Sequence, residues 1–290
     1  MSIPCYPEFE PIALALKPDI QPLLYRLTDG VSEYTFANLY LFRKRYQYRV
    51  SIDGDCLIIA GNRDGKRFFI TPGGVPGRET LVSLFEQNDY WKGIPDSVFA
   101  PRKNLLAEWG VQIAEDRDNF DYLYLRTDLA ELPGKKYHKK RNLVNAFLSA
   151  YACEIQPLAE EAVPQALAVL DRWRRDKGED GDYAPAKEAL ELFTALDMRG
   201  VLYYIRGKPA GWCLGETLVQ GRMFAVHFEK GIDEYKGIYQ YMNQTFAASL
   251  EAEITHINRE QDLGDEGLRQ AKMTYRPSGF VRKYTGVYRP

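Results

Sequence analysis

Apolar positions along the chain follow two rhythms, and the rhythms change in the same order twice. YTFANLYLFRKRYQ (residues 34–47) has helical spacing. Three strand-like runs follow, YRVSIDG (48–54), CLIIAGNRDG (56–65) and KRFFITPGG (66–74), divided by Asp and Gly turn signals. GRETLVSLFEQ (77–87) predicts an amphipathic helix and RKNLLAEWG (102–110) a shorter one ending at Gly110. FDYLYLRT (120–127) alternates as a strand does. GKKYHKKRNLVNAFLSAY (134–151) predicts a helix with Leu143, Val144, Phe147, Leu148 and Tyr151 on one side.

The second half opens with two helical runs, residues 160–178 and 184–200. VLYYIR and AGWCLGETL then form a hairpin around GKP (207–209), and GRMFAVHFEKG (221–231) adds a third strand. An amphipathic helix (235–250), the strand EITHIN (253–258), the short helix DEGLRQAKM (265–273) and an alternating tail, FVRKYTGVYR (280–289), complete it. Both halves thus read helix, three-strand meander, helix, strand, short helix, closing strand. This pattern predicts an α+β protein of two domains, each a mixed, mostly antiparallel sheet flanked by helices. The boundary is expected near residues 153–160, giving domains 1–155 and 156–290. The alternative is one continuous domain with a long central sheet.

Composition narrows the classes. The 290 residues are 45% hydrophobic and 27% charged with a net charge of −2, which suits a full core and disfavours wholesale adhesion to polyanions. The four cysteines (Cys5, Cys56, Cys153, Cys213) are widely spaced and only three histidines occur, so neither a disulfide framework nor a metal centre is expected. The N-terminus lacks a basic segment followed by a long apolar one, and no apolar run is long enough to span a bilayer. A cytoplasmic protein is expected.

The order of hairpin, strand, helix, strand, helix, strand resembles the GNAT acyltransferase fold. That resemblance implies a pyrophosphate-cradling turn between the third strand and its helix, here GIDEYKGIYQYMN (231–243). Lys236 and Gly237 are its candidate cofactor-binding residues. Tyr239 stands where a second small residue is expected, and Asp233 and Glu234 would repel phosphate.

Three further segments carry a closer resemblance: NREQDLGDEGLRQAKMTYRP (258–277), KKYHKKRNLVNAF (135–147) and TFANLYLFRKRY (35–46). On these the chain resembles a bacterial family related to the C-terminal domain of lysyl-phosphatidylglycerol synthases, and more distantly Fem-type aminoacyltransferases. The resemblance implies two tandem GNAT-like domains. It also implies transfer of an aminoacyl group from aminoacyl-tRNA to an amine, peptide or lipid head-group acceptor.

Residue chemistry points to the same segments. Four acids (Glu260, Asp262, Asp265, Glu266) fall within seven residues, and six bases follow from Arg269 to the end. Asp265 and Glu266 suit the first turn of a helix and need no function. Glu260 and Asp262 precede it, so these are the candidate catalytic carboxylates, able to orient an amine and accept its proton. Asn258 is delivered beside them, with Lys272, Tyr275 and Arg276 as candidate binders of phosphate or of an ester carbonyl gaining charge. In the basic helix, Lys136, Lys139 and Lys140 share a face by spacing, and with Arg141 they predict an anion site for tRNA, a nucleotide-linked precursor or a lipid head group. The alternatives are a non-catalytic RNA- or nucleotide-ligand-binding protein on the same fold, and an acetyl-CoA-dependent N-acyltransferase, with acyl-CoA in place of aminoacyl-tRNA as donor.

Overall fold

A computed structural model describes residues 2–178 and 180–289. The first part of the chain runs β1 (Glu10–Pro11), α1 (Lys17–Tyr25), α2 (Phe36–Tyr46), β2 (Arg49–Asp53), β3 (Cys56–Arg63), β4 (Lys66–Ile70), α3 (Arg78–Gln87), β5 (Tyr90–Pro95), α4 (Asp96–Phe99), α5 (Lys103–Glu108) and β6 (Val111–Glu115). The remainder runs β7 (Asp121–Leu125), α6 (Arg126–Glu131), α7 (His138–Ala150), β8 (Cys153–Pro157), α8 (Val163–Lys177), α9 (Tyr183–Leu192), β9 (Arg199–Ile205), β10 (Lys208–Leu218), β11 (Met223–Gly231), α10 (Ile238–Ser249), β12 (His256–Asn258), α11 (Glu266–Met273), β13 (Gly279–Val281) and β14 (Lys283–Tyr288).

Local chemistry explains many of these limits. The Thr35 hydroxyl caps α2 by accepting from Asn38 N at 3.0 Å. Gln47, in a left-handed conformation, closes the same helix. Asp265 caps α11 through Leu268 N at 2.7 Å, as its position predicts. The basic segment begins differently from expectation: Lys135–Tyr137 is a 3₁₀ turn, and regular α-helix starts only at His138. β5 fills the place of the strand that the repeated order calls for between the helices of residues 77–87 and 102–110; no run marks it in the sequence because all but its first residue are buried, so its two faces do not alternate.

The strands form two seven-stranded sheets of equivalent order, β1-β2-β3-β4-β5-β14-β6 and β8-β9-β10-β11-β12-β7-β13. Each has one parallel pair, β4 with β5 and β11 with β12, and the other neighbours are antiparallel. In each sheet the sixth strand comes from the other half of the chain. β7 leaves the first unit to pair with β12 and β13, and β14 returns from the end of the chain between β5 and β6. The sheets therefore change over between residues 115 and 121 and again at Arg282, not at residue 155. The expected closing strand FVRKYTGVYR is likewise two strands in two sheets.

A shared core reinforces this exchange. Phe36, Leu39 and Tyr40 of α2 join Ala186, Ala189 and Leu190 of α9 and Trp212, Leu214 and Phe228 of the second sheet in one buried cluster. At the crossover, Lys283 of β14 and Asp121 of β7 are both fully buried and paired at 2.7 Å, with Glu33 as a second partner for the amine. Breaking such a pair leaves a charge without water or partner, so the two returns hold each other in place.

Candidate functional site

β11 and β12 run parallel for three registered pairs, the last being Ala225 with Asn258. There β12 stops while β11 continues to Gly231, and the sheet parts. The parting opens into a cleft of about 880 Å³ whose walls come from both units. Asn38, Tyr46 and Lys92 stand on the first-unit side; His227, Glu229, Lys140 and Tyr275 stand on the other, with the 259–272 segment as a rim.

A bulge aims the histidine. Leu214 pairs with Phe228 and Gly215 with Val226, which leaves His227 as the extra residue. Gly215 permits this approach, since a Cβ there would lie 1.9 Å from the Ala225 carbonyl oxygen. His227 is held between two carboxylates, Nδ1 at 2.6 Å from Glu260 Oε1 and Nε2 at 3.0 Å from Glu216 Oε1. Burial alone would strip the ring of its proton. The two carboxylates outweigh burial and raise its pKa to about 10, so the ring is a cation at neutral pH.

Glu260 has a left-handed backbone (φ 55°), and its N–H donates to Asn258 Oδ1 at 2.7 Å. Asn258 is fully buried and donates to Gly30 O at 2.8 Å and Asp121 Oδ2 at 3.1 Å. Its work is to set the Glu260 turn rather than to touch a ligand. Glu260 Oε1 faces His227 and, at 3.5 Å, the Asn38 amide. Its Oε2 takes no hydrogen bond among the described residues.

Asp262, expected as a catalytic base, has a different role. It is fully buried and accepts from Tyr122 Oη at 2.6 Å, Arg269 Nη2 at 2.7 Å, Arg269 Nε at 2.9 Å, Gly264 N at 2.9 Å and Arg117 Nη1 at 3.2 Å. Burial favours its neutral form, but Arg269, Tyr122 and the Gly264 N–H hold it well below the usual carboxylate range. A carboxylate so fully engaged cannot take a substrate proton; it ties the loop to α11 and β7.

Among the expected binding residues, Lys272, Tyr275 and Lys140 reach the cleft. Lys272 donates to the Arg259 carbonyl and, at 3.2 Å, to the Glu260 carbonyl; burial first, then the Arg259 charge, lowers its pKa to about 8. Lys140 lies 3.9 Å over the Tyr275 ring and is lowered to about 8 by the same two causes. It makes no hydrogen bond among the described residues. The rest of the basic segment does not converge. Lys136 pairs with Asp128 at 2.8 Å, Arg141 donates to the Leu132 and Gly134 carbonyls at the end of α6, and Lys139 is exposed. Arg276 is exposed as well.

The turn expected to cradle pyrophosphate is packed shut at Gly237. A Cβ there would lie 2.7 Å from the Leu143 carbonyl oxygen of α7 and 3.1 Å from Phe147 Cβ, and Lys236 points outside the cleft lining. A carbonyl oxygen over the turn disfavours phosphate. Tyr239 folds back instead, its hydroxyl donating to Gly231 O at 3.0 Å.

His227, Glu216, Glu229, Arg259 and Lys92 were not anticipated. Arg259 pairs with Glu229 at 3.2 Å beside the Glu260 loop. For His227, Glu229 and Lys92 the available signal was charge inside mostly apolar runs, AVHFEK and YWKGIP, where a solvated side chain would be out of place; Glu216 and Arg259 lie outside these runs. Among the described residues, no group of three potential ligands could hold a metal ion, and no helix is long and apolar enough to cross a membrane.

A family model of the C-terminal part of phosphatidylglycerol lysyltransferase matches residues 25–286. A conserved protein of unknown function from Bacteroides thetaiotaomicron has a similar structure, with TM-score 0.88 and 28% identity over 97% of this chain and 99% of that one. A domain named as the C-terminal part of a lysylphosphatidylglycerol synthetase of Agrobacterium fabrum superposes with TM-score 0.63 at 14% identity, covering 96% and 93% of the two chains. FemX superposes with TM-score 0.58 at 8% identity, covering 97% of each, which shows the fold. An uncharacterized protein of Mycoplasmoides gallisepticum is 22% identical over 187 residues, and the match spans 61% of this chain and 59% of that protein. The two sheets are equivalent units in tandem, and the chain belongs to the family of phosphatidylglycerol lysyltransferase C-terminal domains.

Proposed function

We propose that this chain is an aminoacyltransferase that takes its acyl group from an aminoacyl-tRNA and passes it to a hydroxyl or amine acceptor. The observation that carries the reading is Glu260. One carboxylate oxygen is fixed by cationic His227, and the other has no protein partner among the described residues, beside a cleft large enough for an aminoacyl end. A carboxylate fixed through one oxygen and open at the other is suited to hydrogen-bond an ammonium group. Glu260 therefore serves as the anchor for the α-ammonium of the aminoacyl group rather than as a strong base.

In the reaction the acceptor oxygen or nitrogen attacks the ester carbonyl carbon. The new acyl bond forms as the ester C–O bond to the ribose breaks, and the acceptor's proton ends on the departing hydroxyl. Lys140, with its pKa near 8 and its amine without a hydrogen bond among the described residues, is suited to carry that proton. Lys272 stiffens the loop that holds Glu260. The closed turn at Gly237 weighs against acyl-CoA as donor.

The test is transfer from a panel of labelled aminoacyl-tRNAs to small amines, a peptide and phosphatidylglycerol vesicles. Glu260→Gln should lower kcat/KM by about 10- to 100-fold, the loss of one charge-assisted hydrogen bond. Full turnover by that variant would remove Glu260 from the reaction. Donor binding that weakens steeply with salt and yields no product would favour a binding protein on the transferase fold.

A further inference from the structure

The first sheet parts at the same place as the second. β4 and β5 are registered through Phe68 with Tyr90 and Phe69 with Trp91, and the next residue on β5 is Lys92. Arg259 holds the corresponding place in the second sheet, directly after the last pair of β11 and β12. Arg259 pairs with Glu229, whereas Lys92 has no such partner among the described residues. Lys92 is only 7% exposed and lines the cleft, with its amine 5.4 Å from the centre of the Phe68 ring and 5.6 Å from that of Tyr46. Among the described residues it makes neither a hydrogen bond nor an ion pair. Glu33 lies near enough to influence it, but that carboxylate is bound by Lys283.

A buried ammonium between aromatic rings that makes no direct ion pair or hydrogen bond is incompletely compensated, since the nearby acid, Glu33, is held by Lys283. The cleft is the route by which a counter-ion can arrive. We propose that Lys92, with Tyr46 and Phe68 as walls, is a subsite for a monoanionic group of the acceptor, either a carboxylate or a phosphodiester. One ammonium near a second acid, Glu33, suits a single negative charge better than a phosphate dianion. The subsite complements Glu260: one end of the cleft takes the positive group of the donor and the other takes the negative group of the acceptor. Assigning the anion to an acceptor rests on the transferase reading, but anion binding does not, and it is measured without turnover.

Lysines of the intact protein are labelled by reductive ¹³C-methylation, and the Lys92 signal is identified by its loss in Lys92→Arg. Burial lowers the Lys92 pKa; Glu33 and Asp116 oppose that, and Lys283 and Arg63 add to it. Sodium benzoate and diethyl phosphate are then added in separate titrations. A saturable shift of the Lys92 signal, with its titration midpoint moving upward and exposed lysines unaffected, is the expected result. A response to benzoate alone assigns a carboxylate ligand, to diethyl phosphate alone a phosphodiester, and to both a general monoanion site. No response, or one shared with exposed lysines, overturns the proposal. As a check that avoids labelling, the effective anion should raise the melting temperature of the unmodified protein. Lys92→Met should weaken that effect by about tenfold or more in apparent affinity; an unchanged effect in this variant also overturns it.

Discussion

The two partings share strand order and pairing yet contain different chemistry. Around the end of the β4–β5 pairing the first is filled by rings: Tyr46, Tyr48, Phe68 and Tyr90 pack edge-to-face or tilted with centroids 5.3–6.2 Å apart, and Tyr34 donates to Gly93 O at 2.8 Å. Lys92 is the charge left among them. Beyond Ala225 and Asn258 the second is lined by His227, Glu229, Arg259 and Glu260. A parallel pair that ends early leaves backbone and side chains without neighbours, and each unit meets that need differently. Aromatic filling gives a rigid wall, whereas paired charges give a surface that can exchange partners with a ligand. Duplication of a fold therefore does not duplicate a site.

The comparison is broken most severely at the strand exchange. Lys283→Met would leave Asp121 buried and Glu33 without its amine, and the expected loss is about 3–5 kcal/mol of stability by denaturant titration. It should be accompanied by loosening of both sheets, visible as faster amide exchange in β7 and β14. Protection retained in β7 would mean that the halves hold their strands independently.

The ionic parting is sharpened by pH. The folded pKa of His227 is raised to about 10 from an ordinary value near 6.5, so its charge contributes stability that is fully present below about 6.5 and is lost as pH rises toward 10. The wild-type melting temperature should therefore fall across that window more than that of His227→Gln. Parallel curves for the two proteins would show that the histidine is neutral between its carboxylates.

The smallest effect is expected on the basic segment. Lys139→Ala and Arg276→Ala should leave the melting temperature and single-turnover transfer from bound donor unchanged, because both side chains are exposed and away from the cleft. A drop in donor affinity confined to low salt would place the RNA body along this face while leaving the chemistry in the cleft.

Much of the architecture was legible. The helices at 36–46, 78–87 and 238–249 and both meanders follow from periodicity, and Asp265 was read as a cap. The segment 258–277 stands out in the sequence by its charge, and Glu260, Lys272 and Tyr275 from it line the cleft. Asp262 was not separable from Glu260 by sequence. Both are acids two residues apart, and only the arrival of Tyr122, Arg117 and Arg269 distinguishes the buried anchor from the open one. Lys136, Lys139 and Lys140 looked equivalent on a helical wheel, but the 3₁₀ start and the position of Asp128 separate them.

The sequence alone determined what depends on neighbours within a few residues: helical and strand periodicity, turns, caps and the clustering of charge. Those preferences come from backbone sterics and short-range hydrogen bonds, which travel with the segment wherever it packs. Tertiary structure decided which sheet receives β7 and β14, which acid is neutralised and which lysine is left without a partner. These outcomes depend on groups more than a hundred residues apart meeting in a medium where an unpaired charge is costly, as Lys283 meets Asp121 and Asp262 meets Tyr122.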